Sequence, residues 1–116
     1  MYPYDVEMKV IDGLPVVFVK GYCGQEAGQK LVATVDKVLR NGDIKMVIDF
    51  SECRLINSPG SVGVMDATLK IVDDFKGKVC VTGLDDIKIQ VFKMVGVFPL
   101  AEVTGSFKDG IALIKK

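Results

Sequence analysis

The chain has 116 residues, 49% of them hydrophobic and 26% charged, enough for one core and too few for two ordinary domains, so residues 1–116 are read as one soluble domain. Fifteen basic residues balance fifteen acidic ones without a Lys or Arg run, which argues against nucleic acid or an anionic membrane as partner. Histidine is absent and Cys23, Cys53 and Cys80 lie far apart, which removes Ser-His-Asp, Cys-His and His-ligated metal chemistry together and predicts buried, reduced thiols.

The opening "MYPYDVEMKV" has no basic region followed by an apolar one, and no apolar stretch reaches a bilayer span. The expected address is cytoplasmic.

Val6 to Ile11 alternates apolar and charged residues, and Asp12-Gly13 then supplies a two-residue turn before Leu14 to Lys20, which predicts a β-hairpin. Pro15, lacking an amide hydrogen, belongs at the start of its strand or on an edge. Leu31, Val32, Val35, Val38 and Leu39 fall on one helical face, predicting a helix from about Gln25 to Arg40 that stops at Asn41-Gly42. Lys45 to Phe50 and Lys78 to Thr82 are short apolar runs suited to strands covered on both faces. Between them Val62, Met65, Leu69, Val72 and Phe75 are spaced as the core stripe of a second helix, closed by Gly77. Asp85 or Asp86 can cap a third helix carrying Ile87, Val91, Met94 and Val95, with Gly96 as its stop. On this phasing Val64, Ile89 and Phe92 lie off the core. Leu100 to Val103 is a short strand candidate, and Ser106 to Asp109 resembles a capping box before Ile111, Leu113 and Ile114.

The predicted order is ββαβαβαβα. Strands alternating with helices require crossovers between parallel strands, so the fold class is α/β with a mixed, mainly parallel sheet.

The stretch "INSPGS", Ile56 to Ser61, is expected as a loop at the carboxyl end of a central strand, the position where open α/β sheets commonly place function. Pro59 is favoured at the first helical position, which makes Ser58 the natural N-cap and Asn57 the next candidate. A helix start of this kind also offers unpaired amides and partial positive charge to a phosphate. "GYCGQEAGQK" is glycine-rich, but Gly21, Gly24 and Gly28 fit neither a P-loop nor a dinucleotide fingerprint, and a plain turn is expected. Asp49 has no second carboxylate at ligand spacing, so a capped strand end is expected rather than a metal site.

From Met46 to Leu100 the sequence resembles the STAS domain of bacterial anti-sigma factor antagonists. The matching residues are Asp49-Phe50-Ser51 at the strand end, Asn57-Ser58-Pro59-Gly60 with Gly63, the Lys78 to Gly83 strand, and Val95-Gly96-Val97-Phe98. The hairpin and first helix also fit, so the resemblance extends over nearly the whole chain. It implies a non-enzymatic protein without cofactor or metal, in which Ser58 is phosphorylated by an anti-sigma factor that is a serine kinase of the GHKL ATPase type. The unmodified form would bind that kinase and free a sigma factor, and a phosphatase would reverse the modification. The partner-binding residues implied are Asn57, Ser58, Pro59, Gly60, Ser61, Val62 and Met65, with Tyr22 and Gln25 from the first helix approach. Asn57 stands where the family usually has Asp, and Pro59 where it usually has a second Ser or Thr. The alternative is a STAS scaffold or regulatory subunit of a transporter or stress-signalling complex that works without phosphorylation. A small neutral domain of this kind is expected to be a monomer.

Overall fold

The computed structural model describes residues 2–116. Strand β1 (Tyr4–Ile11) turns through Asp12 and Gly13, both at positive φ, into β2 (Leu14–Cys23), and the two pair antiparallel from Tyr4↔Gly21 to Ile11↔Leu14. Positive φ at both turn positions is the geometry that Asp-Gly predicts for a tight hairpin. Helix α1 (Gln25–Arg40) follows, then β3 (Lys45–Asp49), β4 (Cys53–Ile56), α2 (Ser58–Leu69), β5 (Lys78–Thr82), α3 (Asp86–Val95), β6 (Glu102–Thr104) and α4 (Phe107–Lys115). The sheet runs β1-β2-β3-β5-β6, with β4 paired to β2. Apart from the hairpin, every strand pair is parallel.

Alternation along the central strands divides the core. Val17, Val19, Met46, Ile48, Val79 and Val81 point to the face covered by α1, α2 and α3, whereas Val16, Val47 and Cys80 point to Ile111 and Ile114 of α4. Both faces of β3 and β5 are therefore apolar, as their uninterrupted hydrophobic runs predict. Pro15 is buried but precedes Val16–Phe18, the stretch that pairs with β3, so its missing amide leaves that ladder intact.

Three expectations are corrected. The segment after β3 is more than a loop, because the amide of Cys53 bonds to the carbonyl of Phe50 and the chain then runs beside the end of β2 as β4. The order is thus ββαββαβαβα. Helix α2 faces the core with Val64, Ala67, Thr68 and, beyond its end, Ile71, whereas Val62 is 53% exposed. Its apolar residues are spread around the axis, so spacing alone selects no face. A π-helical turn, Lys70–Asp74, extends it, with the Phe75 amide reaching the Lys70 carbonyl. On α3 the buried positions are Lys88 and Phe92, while Ile87 and Met94 of the expected stripe are exposed.

Phe92 is fully buried with its ring edge-on to Phe50 at 5.1 Å and to Phe98 at 6.5 Å. Phe92→Ala is expected to cost about 3–5 kcal/mol, whereas Met94→Ala, on the solvent side, should stay within about 0.5 kcal/mol. Urea unfolding midpoints of the two variants check the phasing directly.

The buried Lys88 is explained by its neighbour. Asp85 caps α3, accepting from the Lys88 amide at 2.9 Å and from its ammonium at 2.7 Å. Those bonds hold the Asp85 carboxyl below its ordinary pKa, the side-chain bond to Lys88 contributing most. A carboxyl whose folded pKa is depressed stabilises the fold above its unfolded pKa, near 3.9, and loses that contribution as pH falls through the folded value. Asp85→Asn keeps a capping oxygen but removes the counter-charge, and because the Asp85 side chain is largely exposed the expected cost at neutral pH is only about 1–2 kcal/mol. The difference from wild type should close near pH 2 in paired urea melts; a gap as wide there as at neutral pH would contradict the assignment.

Candidate functional site

Strands β2 and β4 run parallel and end side by side, at Cys23 and Ile56, so the chain turns there into α1 and α2. The two helix N-termini are consequently neighbours. Glycines permit the approach: a Cβ on Gly60 would lie 1.9 Å from the Cys23 carbonyl oxygen, and one on Gly63 would lie 2.5 Å from the Gly28 Cα. Backbone meets backbone at both points.

Asn57, extended at φ −106° and ψ 179°, is the N-cap of α2. Its side-chain Oδ1 accepts from the Gly60 amide at 2.8 Å, and its Nδ2 donates to the Tyr22 hydroxyl at 2.6 Å. Its own amide donates to the Cys23 carbonyl and its carbonyl accepts from the Ser61 amide. Every polar group of Asn57 is therefore engaged, which fixes the turn to both β2 and α2. The expectation of Ser58 as N-cap is corrected here: Ser58 is the first helical residue and Pro59 the second, a position that also needs no intrahelical amide donor. Asparagine is as good a cap as serine, and the tie is broken by the Tyr22 hydroxyl, which an amide can reach while bonding Gly60.

Ser58 is exposed, and the cap is complete without its hydroxyl. Its carbonyl accepts from the Ser61 hydroxyl at 2.7 Å. No acidic residue lies in the first turn of α2. Ser58 thus sits at the positive end of a helix dipole with nothing from that turn opposing an added negative charge.

Beside it a groove of about 500 Å³ runs between α1 and α2, with Gln25, Gln29 and Val32 on one wall and Pro59, Val62 and Asp66 on the other. Of the residues expected to meet a partner, Asn57, Ser58, Pro59, Val62, Tyr22 and Gln25 come together around this corner. Gly60 and Ser61 are buried beneath it, and half-buried Met65 packs toward Gly96 at the end of α3. Gln29 and Asp66 are additions that periodicity does not flag, and Val32, expected on the core stripe of α1, lines the groove as well; glycines 28 and 63, facing each other within two helices, mark where α1 and α2 touch.

The other reactive groups are occupied or masked. Asp49, 1% exposed, accepts from the Thr82 hydroxyl at 2.8 Å and from the Ser51 amide and hydroxyl, closing the end of β3 as expected. All three cysteines are free and buried; burial pushes the Cys23 thiol up to about 12 and raises Cys53 and Cys80 as well, so the thiolate needed for nucleophilic chemistry is disfavoured. Among the described residues no three His, Cys, Asp or Glu side chains are grouped to hold a metal, and no helix is long and apolar enough to cross a membrane.

An α/β domain with a mixed six-stranded sheet, three helices on one face and one on the other, is the architecture of the STAS fold. Solved anti-sigma factor antagonists share it. The one from Mycobacterium paratuberculosis superposes with a TM-score of 0.83 at 17% identity, covering 98% of this chain and 96% of that one. SpoIIAA in its unphosphorylated form gives 0.73 at 14% identity, over 97% and 98% of the two chains. The phosphorylated form of SpoIIAA, the Bacillus cell fate determinant, gives 0.69 at 13% identity, over 96% and 99%. No family model matches the sequence, and no curated protein matches it.

Proposed function

We propose that this protein is an anti-sigma factor antagonist that binds an anti-sigma serine kinase of the GHKL type in the bacterial cytoplasm and is switched by phosphorylation of Ser58. The observation that carries the reading is the exposed Ser58, free of the cap that Asn57 completes and adjacent to Pro59, which lines the α1–α2 groove. The likeness to SpoIIAA, solved in phosphorylated and unphosphorylated forms, supports it at the level of the fold.

In this reading the partner brings ATP and magnesium, and this chain brings the hydroxyl on a turn that Asn57 fixes. The Ser58 oxygen bonds to the γ-phosphorus, the bond from that phosphorus to the bridging oxygen breaks, and ADP leaves. Asn57 is an amide and cannot take the hydroxyl proton, so that base belongs to the kinase. The product gains roughly −1.5 to −2 charges at a helix start that tolerates them, leaving the fold in place while changing the surface that a partner meets. A phosphatase resets the switch, and the protein itself catalyses nothing. The docking surface is formed by Tyr22, Gln25, Ser58, Pro59 and Val62, with Asn57, Gly60 and Ser61 setting its shape from below.

A second reading, a phosphorylation-independent scaffold, is favoured by one feature: Pro59 has no amide and Asn57 already occupies that of Gly60, so the first turn offers a phosphate few donors. Affinity purification of the tagged protein from its native cell, with mapping of Ser58 in the bait, separates the two. The switch predicts an ATPase-type kinase among the co-purified proteins and phosphate on Ser58. A bait that is unmodified under every growth condition and bound to other STAS proteins alone would favour the scaffold.

A further inference from the structure

Beyond the amide of Ser58 itself, the donors of the first turn of α2 are already allocated. Pro59 has none, the Gly60 amide is held by Asn57 Oδ1, and the Ser61 amide is held by the Asn57 carbonyl. A phosphate on Ser58 that recruits the turn's side-chain-bonded amide must therefore take it from Asn57.

Asn57 can yield that amide only by losing a second bond. Its other end bonds to the Tyr22 hydroxyl at 2.6 Å, the shorter of its two side-chain bonds. Tyr22 is itself confined: its ring lies 4.9 Å from that of Tyr2, and it fills the space over Gly24, where a Cβ would come within 2.7 Å of the ring. The ring cannot follow Asn57 if the cap rotates away. We propose that Tyr22 is a positioning residue of the Ser58 turn, anchoring Asn57 on Gly60 in the unmodified protein, and that phosphorylation is read by transfer of the Gly60 amide from Asn57 to the phosphate, which breaks the Asn57–Tyr22 bond. The two states of the turn then differ in hydrogen bonding at Tyr22, a residue on the neighbouring strand β2, as well as in charge at Ser58. The half-buried ring, standing between Tyr2 and the start of α1, carries that difference onto the surface a partner meets.

The physiological use of this exchange rests on the proposed switch, but its test does not need the kinase. Phosphoserine is installed at position 58 during translation of the full chain, and amide spectra are recorded for the modified and unmodified protein and for Tyr22→Phe. In unmodified Tyr22→Phe the Gly60 amide should exchange with water about threefold to tenfold faster than in wild type, as expected for loss of one supporting hydrogen bond. In the phosphoserine protein, which needs no further variant and keeps its cap residues, the Gly60 amide and the Tyr22 ring signals should titrate together with the phosphate, near pH 6. Gly60 exchange unchanged in Tyr22→Phe, or Gly60 and Tyr22 signals that ignore the phosphate titration, would overturn the proposal. A kinase that never modifies Ser58 would remove the proposed function and leave these spectra as they are.

Discussion

Gly60→Ala is expected to lower stability by about 3 kcal/mol and the melting temperature by on the order of 10 °C. A Cβ there would stand 1.9 Å from the Cys23 carbonyl oxygen and 2.7 Å from its carbon, both backbone atoms of the buried end of β2. Neither can swing aside as a flexible side chain would. Relief requires α2 to retreat from β2, and that retreat stretches the Asn57 amide to Cys23 carbonyl bond that joins the Ser58 turn to the sheet. The alanine should therefore impair partner binding as well as stability, although position 60 is buried. Gly105→Ala is the reference, since a Cβ there meets nothing within 4 Å, and it should remain within about 0.5 kcal/mol of wild type. Equal melting temperatures for the two variants would show that α2 does not meet the end of β2 as closely as described.

Ser58→Asp is expected to weaken binding of the proposed anti-sigma kinase by at least about tenfold while leaving the fold as stable as wild type. An acidic residue in a first helical turn is favoured by roughly 0.3–1 kcal/mol, so any change in stability should be a slight gain. Ser58→Ala should keep both stability and binding, because Asn57 makes the cap and the Ser58 side chain does not. That pairing discriminates sharply. Were Ser58 the cap, alanine would cost about 0.5–2 kcal/mol, a loss that here belongs to Asn57→Ala. Thermal melts of Ser58→Ala, Ser58→Asp and Asn57→Ala, with binding titrations on the first two, separate the roles of neighbouring residues.

Local rules made much of the fold legible. Asp12-Gly13 announced the hairpin, the spacing of Leu31, Val35, Val38 and Leu39 announced α1 and its buried face, and the apolar runs at Lys45 and Lys78 announced strands covered on both sides. Ser106 caps α4 as its sequence predicts. What was not legible shares a physical cause: the deciding contact is distant in sequence. Strand β4 has four residues and exists because the end of β2 offers a partner, which nothing within "SECRLI" discloses. In α2 apolar residues surround the axis, so the core face was set by packing on the sheet and could not be read from periodicity, and in α3 the core side holds Phe92 beside the charged Lys88, which interrupts the apolar stripe. Lys88 reads as a surface charge until Asp85 is seen folded back on it. The same holds at the site, where Ser58 could be singled out from its turn, but the choice of Asn57 as cap depends on Tyr22, 35 residues away.

The corner around Ser58 therefore divides its work among residues. Asn57 builds the cap, Gly60 lets α2 close on the end of β2 and Gly63 lets it close on α1, and Ser58 is left exposed with an unengaged hydroxyl beside Pro59. The proposed switch is tested most directly by titrating the proposed anti-sigma kinase partner with the unmodified chain and with the chain carrying phosphoserine at position 58. The switch predicts saturable binding of the unmodified chain and affinity at least about tenfold lower for the phosphorylated one, with both chains equally folded. Equal affinities would contradict it and leave the corner as a fixed docking surface.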